Sequence, residues 1–162
     1  MIKLYRKTED GIHYWETWAR DGVHTIHWGK IGDPGQSREL KDSLLRSAAK
    51  TVQTQIEERK AEGYQEIPVE EHQVLLIEYA VQGMGTTTDL DKRHRLQDRM
   101  DETLGWTGVG HCDGGSIGSG TMEVCCLVVD FDTAAKLVET DLRGTEFVNY
   151  IRIYREEGKH EK

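Results

Sequence analysis

The sequence predicts an α+β protein of two modules in series, a small antiparallel sheet carrying one helix and then a βαββαβ domain. Three observations lead there. Asp-Gly dipeptides at 10–11 and 21–22 punctuate alternating, strand-like segments near the N-terminus. Pro68 lies in a polar stretch, Glu66 to Glu71, where the charge balance changes. Beyond it, two short apolar runs at 74–77 and 124–129 are each followed by a helical pattern. A chain of 162 residues accommodates two small domains, expected at 1–67 and 68–162.

Charge sharpens the division. Residues 1–67 hold 11 Lys/Arg against 11 Asp/Glu, and residues 68–162 hold 10 against 18, which accounts for the whole net charge of −8. The second half therefore repels nucleic acid and anionic membranes on average. No apolar run approaches the roughly 18 residues that cross a bilayer, and Met1 to Lys7 has no apolar core of signal-peptide length. Of the three cysteines, Cys125 and Cys126 are adjacent and point to opposite faces of a strand, so those two suit neither one disulfide nor one metal. Free thiols without an export signal imply a reducing, cytoplasmic setting.

In the first module, residues 2–7, 13–19 and about 23–28 alternate as strands, and a turn-rich loop from Gly29 to Gln36 precedes a short strand near 37–40. A helix follows, with Asp42 or Ser43 as candidate caps. Leu45, Ala49, Val52 and Ile56 recur at spacings of four, three and four and are expected on one face. Gly63 stands where a left-handed, helix-ending residue is wanted.

Trp28-Gly29-Lys30-Ile31-Gly32, then Gly35-Gln36, then a helix ending Lys60-Ala61-Glu62-Gly63-Tyr64 resembles a WGR domain over about residues 1–67. The resemblance implies a sheet with one packed helix and no catalytic activity of its own. In the poly(ADP-ribose) polymerases this domain helps to hold broken DNA and contacts neighbouring domains; in bacteria it also occurs in small proteins. By position, Trp28 would pack against a sugar at a DNA end, with Gly29, Lys30 and Arg38 beside it. Lys30 departs from the family's arginine, and an ammonium keeps the charge without the bidentate geometry of a guanidinium. The alternative is structural: a core tryptophan and turn glycines. Arg20, Lys30, Arg38 and Lys41 are interspersed with Glu16, Asp21, Asp33 and Glu39, the pattern of a solvated mixed-charge face. His13, His24 and His27 have no zinc-like spacing.

The second module reads as a strand at 73–81, a helix from Thr88 to about Leu104 capped by Thr88 with Asp91, a weak strand among the six glycines of 106–120, a buried strand at 124–129, a helix from Thr133 to about Asp141 and a strand from Phe147 to Tyr154. This is the ferredoxin-like order, with first and third strands central and the Gly-rich second strand at an edge.

Candidate chemistry is thin. Gly83-Met84-Gly85-Thr86-Thr87-Thr88 precedes a helix but lacks a P-loop lysine and a third dinucleotide-type glycine, and Asp89 and Asp91 oppose an anion there. His111-Cys112-Asp113 has no second ligand pair and an acidic setting. No enzyme activity, cofactor or metal is expected. The helix-free face of the second sheet lacks base-stacking aromatics on its third strand, so it is read as a contact surface for another protein, the first module or a second copy, with Tyr150, Arg152 and Tyr154 as candidates. The expectation is a non-catalytic binding or regulatory protein that recognises a protein partner. A DNA end is the alternative, implied by the resemblance and disfavoured by charge, and an unrecognised enzyme is the third.

Overall fold

Alternation in the first forty residues becomes a four-stranded antiparallel meander: β1 (Ile2–Thr8), β2 (Gly11–Arg20), β3 (Val23–Lys30) and β4 (Gln36–Leu40), in spatial order β1-β2-β3-β4. The computed structural model describes residues 1–157 and divides into two units, one ending at Pro68 and the other beginning at Val69. Arg20 pairs with Val23, and the residues between them, Asp21 and Gly22, both have positive φ, at 51° and 76°. That is the twist-matched two-residue turn the dipeptide predicts. At the first turn, Thr8 pairs with Gly11, so the loop itself is Glu9-Asp10. The Thr8 hydroxyl bonds the Asp10 side chain, and that bond with one from His13 brings the Asp10 carboxyl down to about 2.

One face of the sheet gathers Leu4, Trp15 and Ile26, which pack with Val52 and Ile56 of α1 (Ala48–Ala61). Ile2, Trp28, Leu40 and Tyr64 close the margin. Full burial of each such side chain is worth about 1.5–3 kcal/mol. The helix starts later than its apolar spacing predicts. Ser47 is the N-cap, and the Asp42 carboxylate reaches forward to accept the Ala48 N–H at 2.8 Å. Leu45 falls outside the helix and is exposed; Ala48, rather than Ala49, joins Val52 and Ile56 in the core. A polar cap outweighs one apolar residue because it satisfies otherwise orphaned amides. Gly63 follows the helix with φ 95°, as expected.

The second unit contains β5 (Gln73–Ala80), α2 (Thr87–Trp106), β6 (Gly110–Gly118), β7 (Thr121–Val128), α3 (Phe131–Leu142) and β8 (Arg152–Arg155). Strand order is β6-β7-β5-β8, entirely antiparallel, with β5 and β7 central and the Gly-rich β6 at an edge. This is the ferredoxin-like α+β arrangement. Leu75, Ile77 and Tyr79 of β5 and Met122, Val124, Cys126 and Val128 of β7 are buried, as are Leu96, Met100 and Leu104 of α2 and Ala134, Val138 and Leu142 of α3.

The helix α3 starts two residues before the predicted Thr133 and β7 three before Val124, and two further boundaries differ for a visible reason. The cap of α2 is Thr86, which forms a reciprocal box with Asp89, two residues before the predicted Thr88 and Asp91. The last strand is only four residues long. The Tyr79 hydroxyl donates to the Phe147 carbonyl at 2.7 Å, and the Thr145 hydroxyl to the Leu142 carbonyl at 2.7 Å. These bonds hold 145–149 as a turn and leave Tyr150 outside β8. Among the described residues no helix is long and apolar enough to cross a membrane.

Candidate functional site

The sheet and α1 of the first unit enclose a cleft of about 190 Å³ lined by Trp15, Ile26, Trp28, Arg38, Gln55 and Arg59. Register explains the sheet's share. Trp28 pairs with Trp15 on one side and Gln36 on the other, and Ile26 pairs with Arg38, so all project from one face. The helix supplies the rest: Arg59 is seven residues beyond Val52 and three beyond Ile56, which turns it toward the sheet. Trp15 is buried, Trp28 half-buried and Arg38 exposed. Arg38 makes no ion pair among the described residues. Arg59 bonds Glu62 at 2.6 Å and lies 5.9 Å from the Tyr64 ring centroid. A cleft lined by Trp28 and two arginines combines a stacking surface with fork-shaped donors of the kind suited to phosphate or carboxylate oxygens.

The other sequence-identified residues sit differently. Lys30 does not line the cleft; its stem crosses Gly11, where an added Cβ would lie 2.7 Å from Lys30 Cε. Gly29 has a packing reason. A Cβ there would lie 2.8 Å from Gly35 Cα and 3.1 Å from Tyr14 Oη. Gly35, at φ 66°, is tighter still: its Cβ would be 2.2 Å from the Trp28 carbonyl oxygen and 2.4 Å from Tyr14 Oη. The loop between β3 and β4 therefore folds flat onto the strand that carries Trp28.

Behind that strand lies a polar cluster that the sequence did not announce. His27 is fully shielded from solvent, with Nδ1 2.6 Å from Glu16 Oε1 and Nε2 2.6 Å from the Pro34 carbonyl oxygen. The Tyr14 hydroxyl is also 3.2 Å from Nε2, so both ring nitrogens have polar partners. Lys3 Nζ approaches Glu16 Oε2 at 3.4 Å, and the Tyr14 hydroxyl donates to the Asp33 carbonyl at 3.0 Å. The cluster pins the 31–35 loop and so fixes the backbone behind Trp28. The only signal in the sequence is parity: Glu16 and His27 fall on the faces opposite Trp15 and Trp28, which alternation alone marks as solvent-facing.

On the helix-free face of the second sheet, Glu78 of β5 stands directly opposite Glu123 of β7. Like charges so placed repel. The edge strand answers both: Arg152 pairs with Glu78, and the Tyr154 hydroxyl donates to Glu123 at 2.5 Å. The Arg152 guanidinium then lies 3.8 Å from the Tyr154 ring centroid. The bond to Glu123 pushes the Tyr154 phenol up to about 12. Arg152 and Tyr154 are thus brought together, whereas Tyr150 packs edge-on against Tyr79, with ring centroids 6.4 Å apart, on the helix side. No group of three or more His, Cys, Asp or Glu among the described residues is placed to hold a metal ion.

Comparison with known proteins matches residues 8–71 to the model of the WGR domain. That span runs from the end of β1 through the short 3-10 turn at Val69–Glu71 and includes the whole cleft. No curated protein and no solved structure matches the chain.

Proposed function

We propose, from the premise that residues 8–71 are a WGR domain, that the chain is a non-catalytic binding protein whose first unit receives the end of a nucleic-acid strand in the Trp28–Arg38–Arg59 cleft. One observation carries this reading: Arg38 of β4 and Arg59 of α1 line the same cleft as the half-buried Trp28. A base or sugar stacked on Trp28 presents its neighbouring phosphates to Arg38 and Arg59, and aromatic stacking is worth about 1–3 kcal/mol per base. Arginine forks provide the bidentate contacts that Lys30 cannot. The first unit is electrically balanced, so long-range attraction to duplex DNA is absent and the cleft must act through local geometry.

Fluorescence anisotropy tests the proposal with labelled blunt, overhanging and circular duplexes. Ends are expected to bind, and closed duplex to bind more weakly than about 10 μM at physiological salt. Trp28→Ala and Arg38→Ala should each abolish the preference for ends. Equal affinity for ends and closed duplex would refute it.

A second reading draws on the −8 of residues 68–162: the acidic unit recognises a protein with a basic surface, and Arg152 and Tyr154 mark the helix-free sheet face. The two readings assign different ligands to different units and are separable by pull-down with the Trp28→Ala and Arg152→Ala variants.

A further inference from the structure

The edge of the second sheet contains a pair of thiols that the nucleic-acid reading does not use. Cys112 of β6 is the direct cross-strand partner of Cys126 of β7. The backbone hydrogen bonds establish the kind of pair. Val129 N–H donates to the Val109 carbonyl at 2.9 Å, which makes 109–129 a hydrogen-bonded pair. Counting along the ladder by twos, 111–127 is the next such pair, and 112–126 falls on a non-hydrogen-bonded position. The Cys112 amide agrees: it points away from β7 and donates to the Asp101 carboxylate of α2 at 3.1 Å. Non-hydrogen-bonded partners have the closest side chains, with Cα atoms about 4.5 Å apart, inside the span of about 4.4–6.8 Å that a disulfide bridges.

The surroundings supply access and slack. Cys126 is fully buried and Cys112 is half-buried on an edge strand. Immediately after Cys112 the register shifts, and pairing resumes at Gly115. A bulge with two glycines allows the small backbone adjustment that bond formation needs. The Cys112 sulfur lies 3.4 Å from the Cys125 carbonyl oxygen, so it is held against β7. The hydrogen bond from Cys126 draws the Cys112 thiol below its usual range, and the same bond and burial push Cys126 up. Cys112, the more exposed of the two, is therefore the sulfur that attacks, and Cys126 the one that resolves. Cys125, which points to the other sheet face, has its thiol raised by burial.

We infer that Cys112 and Cys126 form a reactive dithiol, a covalent modification site at which a small-molecule disulfide is reduced while β6 becomes cross-linked to β7. The Cys112 thiolate attacks one sulfur of the small disulfide, and the first small thiolate leaves. Cys126 loses its proton to that thiolate and attacks the Cys112 sulfur of the mixed disulfide, releasing the second small thiol. Two protein thiols are oxidised to one disulfide and one small disulfide is reduced to two thiols.

The test incubates the full chain with oxidised glutathione below its melting temperature and maps the products under non-reducing conditions. The expected product is a monomer about 2 Da lighter, with one thiol left to alkylate. Glu123 lies between Cys112 and the adjacent pair, so cleavage after glutamate separates Cys112 from Cys125 and Cys126 unless they are bridged. Cys125→Ser should still form the cross-link. Cys112→Ser should stay unmodified. Cys126→Ser should stop at a persistent glutathione adduct on Cys112, and circular dichroism checks that it is folded. Three alkylatable thiols after incubation, a disulfide that needs Cys125, or disulfide-linked dimers as the main product would overturn the inference.

Discussion

His27 and Glu16 grip each other across adjacent strands, Nδ1 to Oε1 at 2.6 Å, with the imidazole fully shut off from solvent. The pair holds the Pro34 carbonyl from behind, so the most polar buried contact of the first unit also positions the Trp28 strand. Leaving a buried polar group without its hydrogen-bond partner typically costs about 1–3 kcal/mol. Glu16→Ala is therefore expected to lower the stability of the first unit by about 1–3 kcal/mol, and His27→Ala by a similar amount. Urea melts followed by tryptophan fluorescence measure it; a loss under about 1 kcal/mol would mean the pair adds little.

Gly35 leaves no room for a side chain. A Cβ there would lie 2.2 Å from the Trp28 carbonyl oxygen, on a backbone at φ 66°. Left-handed backbone alone costs a non-glycine residue about 1–2 kcal/mol, and the contact adds to it. Gly35→Ala should destabilise the first unit by about 2 kcal/mol at least, while Gly63→Ala, equally left-handed but in open space, should cost about 1–2 kcal/mol. Comparing the two denaturation midpoints separates crowding from backbone strain.

Salt dependence distinguishes cleft binding from charge-driven binding. With two arginines as the phosphate contacts, log K against log salt should have a slope of about −2 or shallower. Arg38→Lys should weaken end binding while leaving the slope unchanged, because the charge persists and the fork is lost. Anisotropy across a salt series gives both numbers, and a slope of several units would place the contacts elsewhere.

Arg152 of the edge strand pairs with Glu78, which faces Glu123 directly on its other side. Arg152→Ala leaves those carboxylates opposed and removes the cation from the Tyr154 ring. The second unit is expected to melt at a lower denaturant midpoint. In the Arg152→Ala background, Glu78→Gln should recover most of the shift; no rescue would show that the repulsion is screened away.

Alkaline stability follows from four phenols. Burial raises Tyr5, Tyr14 and Tyr79 well above the usual range, with smaller contributions from Glu16 for the first two and Tyr150 for the third, and the bond to Glu123 takes Tyr154 to about 12. An unfolded tyrosine titrates near 10. Above about pH 10 the unfolded chain has released protons that the folded chain keeps, so stability is complete below that pH and falls as pH rises through about 12. Melts at pH 8, 10 and 11 should show a loss that begins near pH 10 and is marked at 11, with the absorbance of four of the six tyrosines appearing only on unfolding. Tyrosinate absorbance equivalent to all six before any unfolding would contradict the protected phenols.

The separate cores are expected to melt separately. Residues 1–68 hold their own apolar cluster of strand and helix residues, and those from 69 onward hold another. Each fragment expressed alone should show a cooperative transition, and failure of both would discard the two-module division.

Local rules made much of this fold legible. Alternation located β1 to β3, because the side-chain period of a strand is two whatever it packs on. Asp21-Gly22 specified its turn, because both central residues must tolerate positive φ. Two apolar strands and one Gly-rich strand placed β5, β7 and β6 before any packing was known, since glycine weakens a strand enough to suit it to an edge. The order Trp28-Gly29, Gly35 and Gly63 was enough to mark a WGR domain.

What remained depended on partners far apart in the chain. The apolar stripe carried Leu45 into a helix that the Ser47 cap begins later, because amides at a helix start need acceptors more than one leucine needs cover. Arg59 was an ordinary helix residue until α1 packed on the sheet and brought it to Trp28 and Arg38. Tyr150 left its strand because Tyr79 holds the turn at Phe147. Glu16 met His27, and Cys112 met Cys126, only through register between strands. The sequence by itself determined the elements, their order and the first module's family, through spacings a few residues long; the tertiary structure decided which side chains share a site, because strand register and helix docking set those distances.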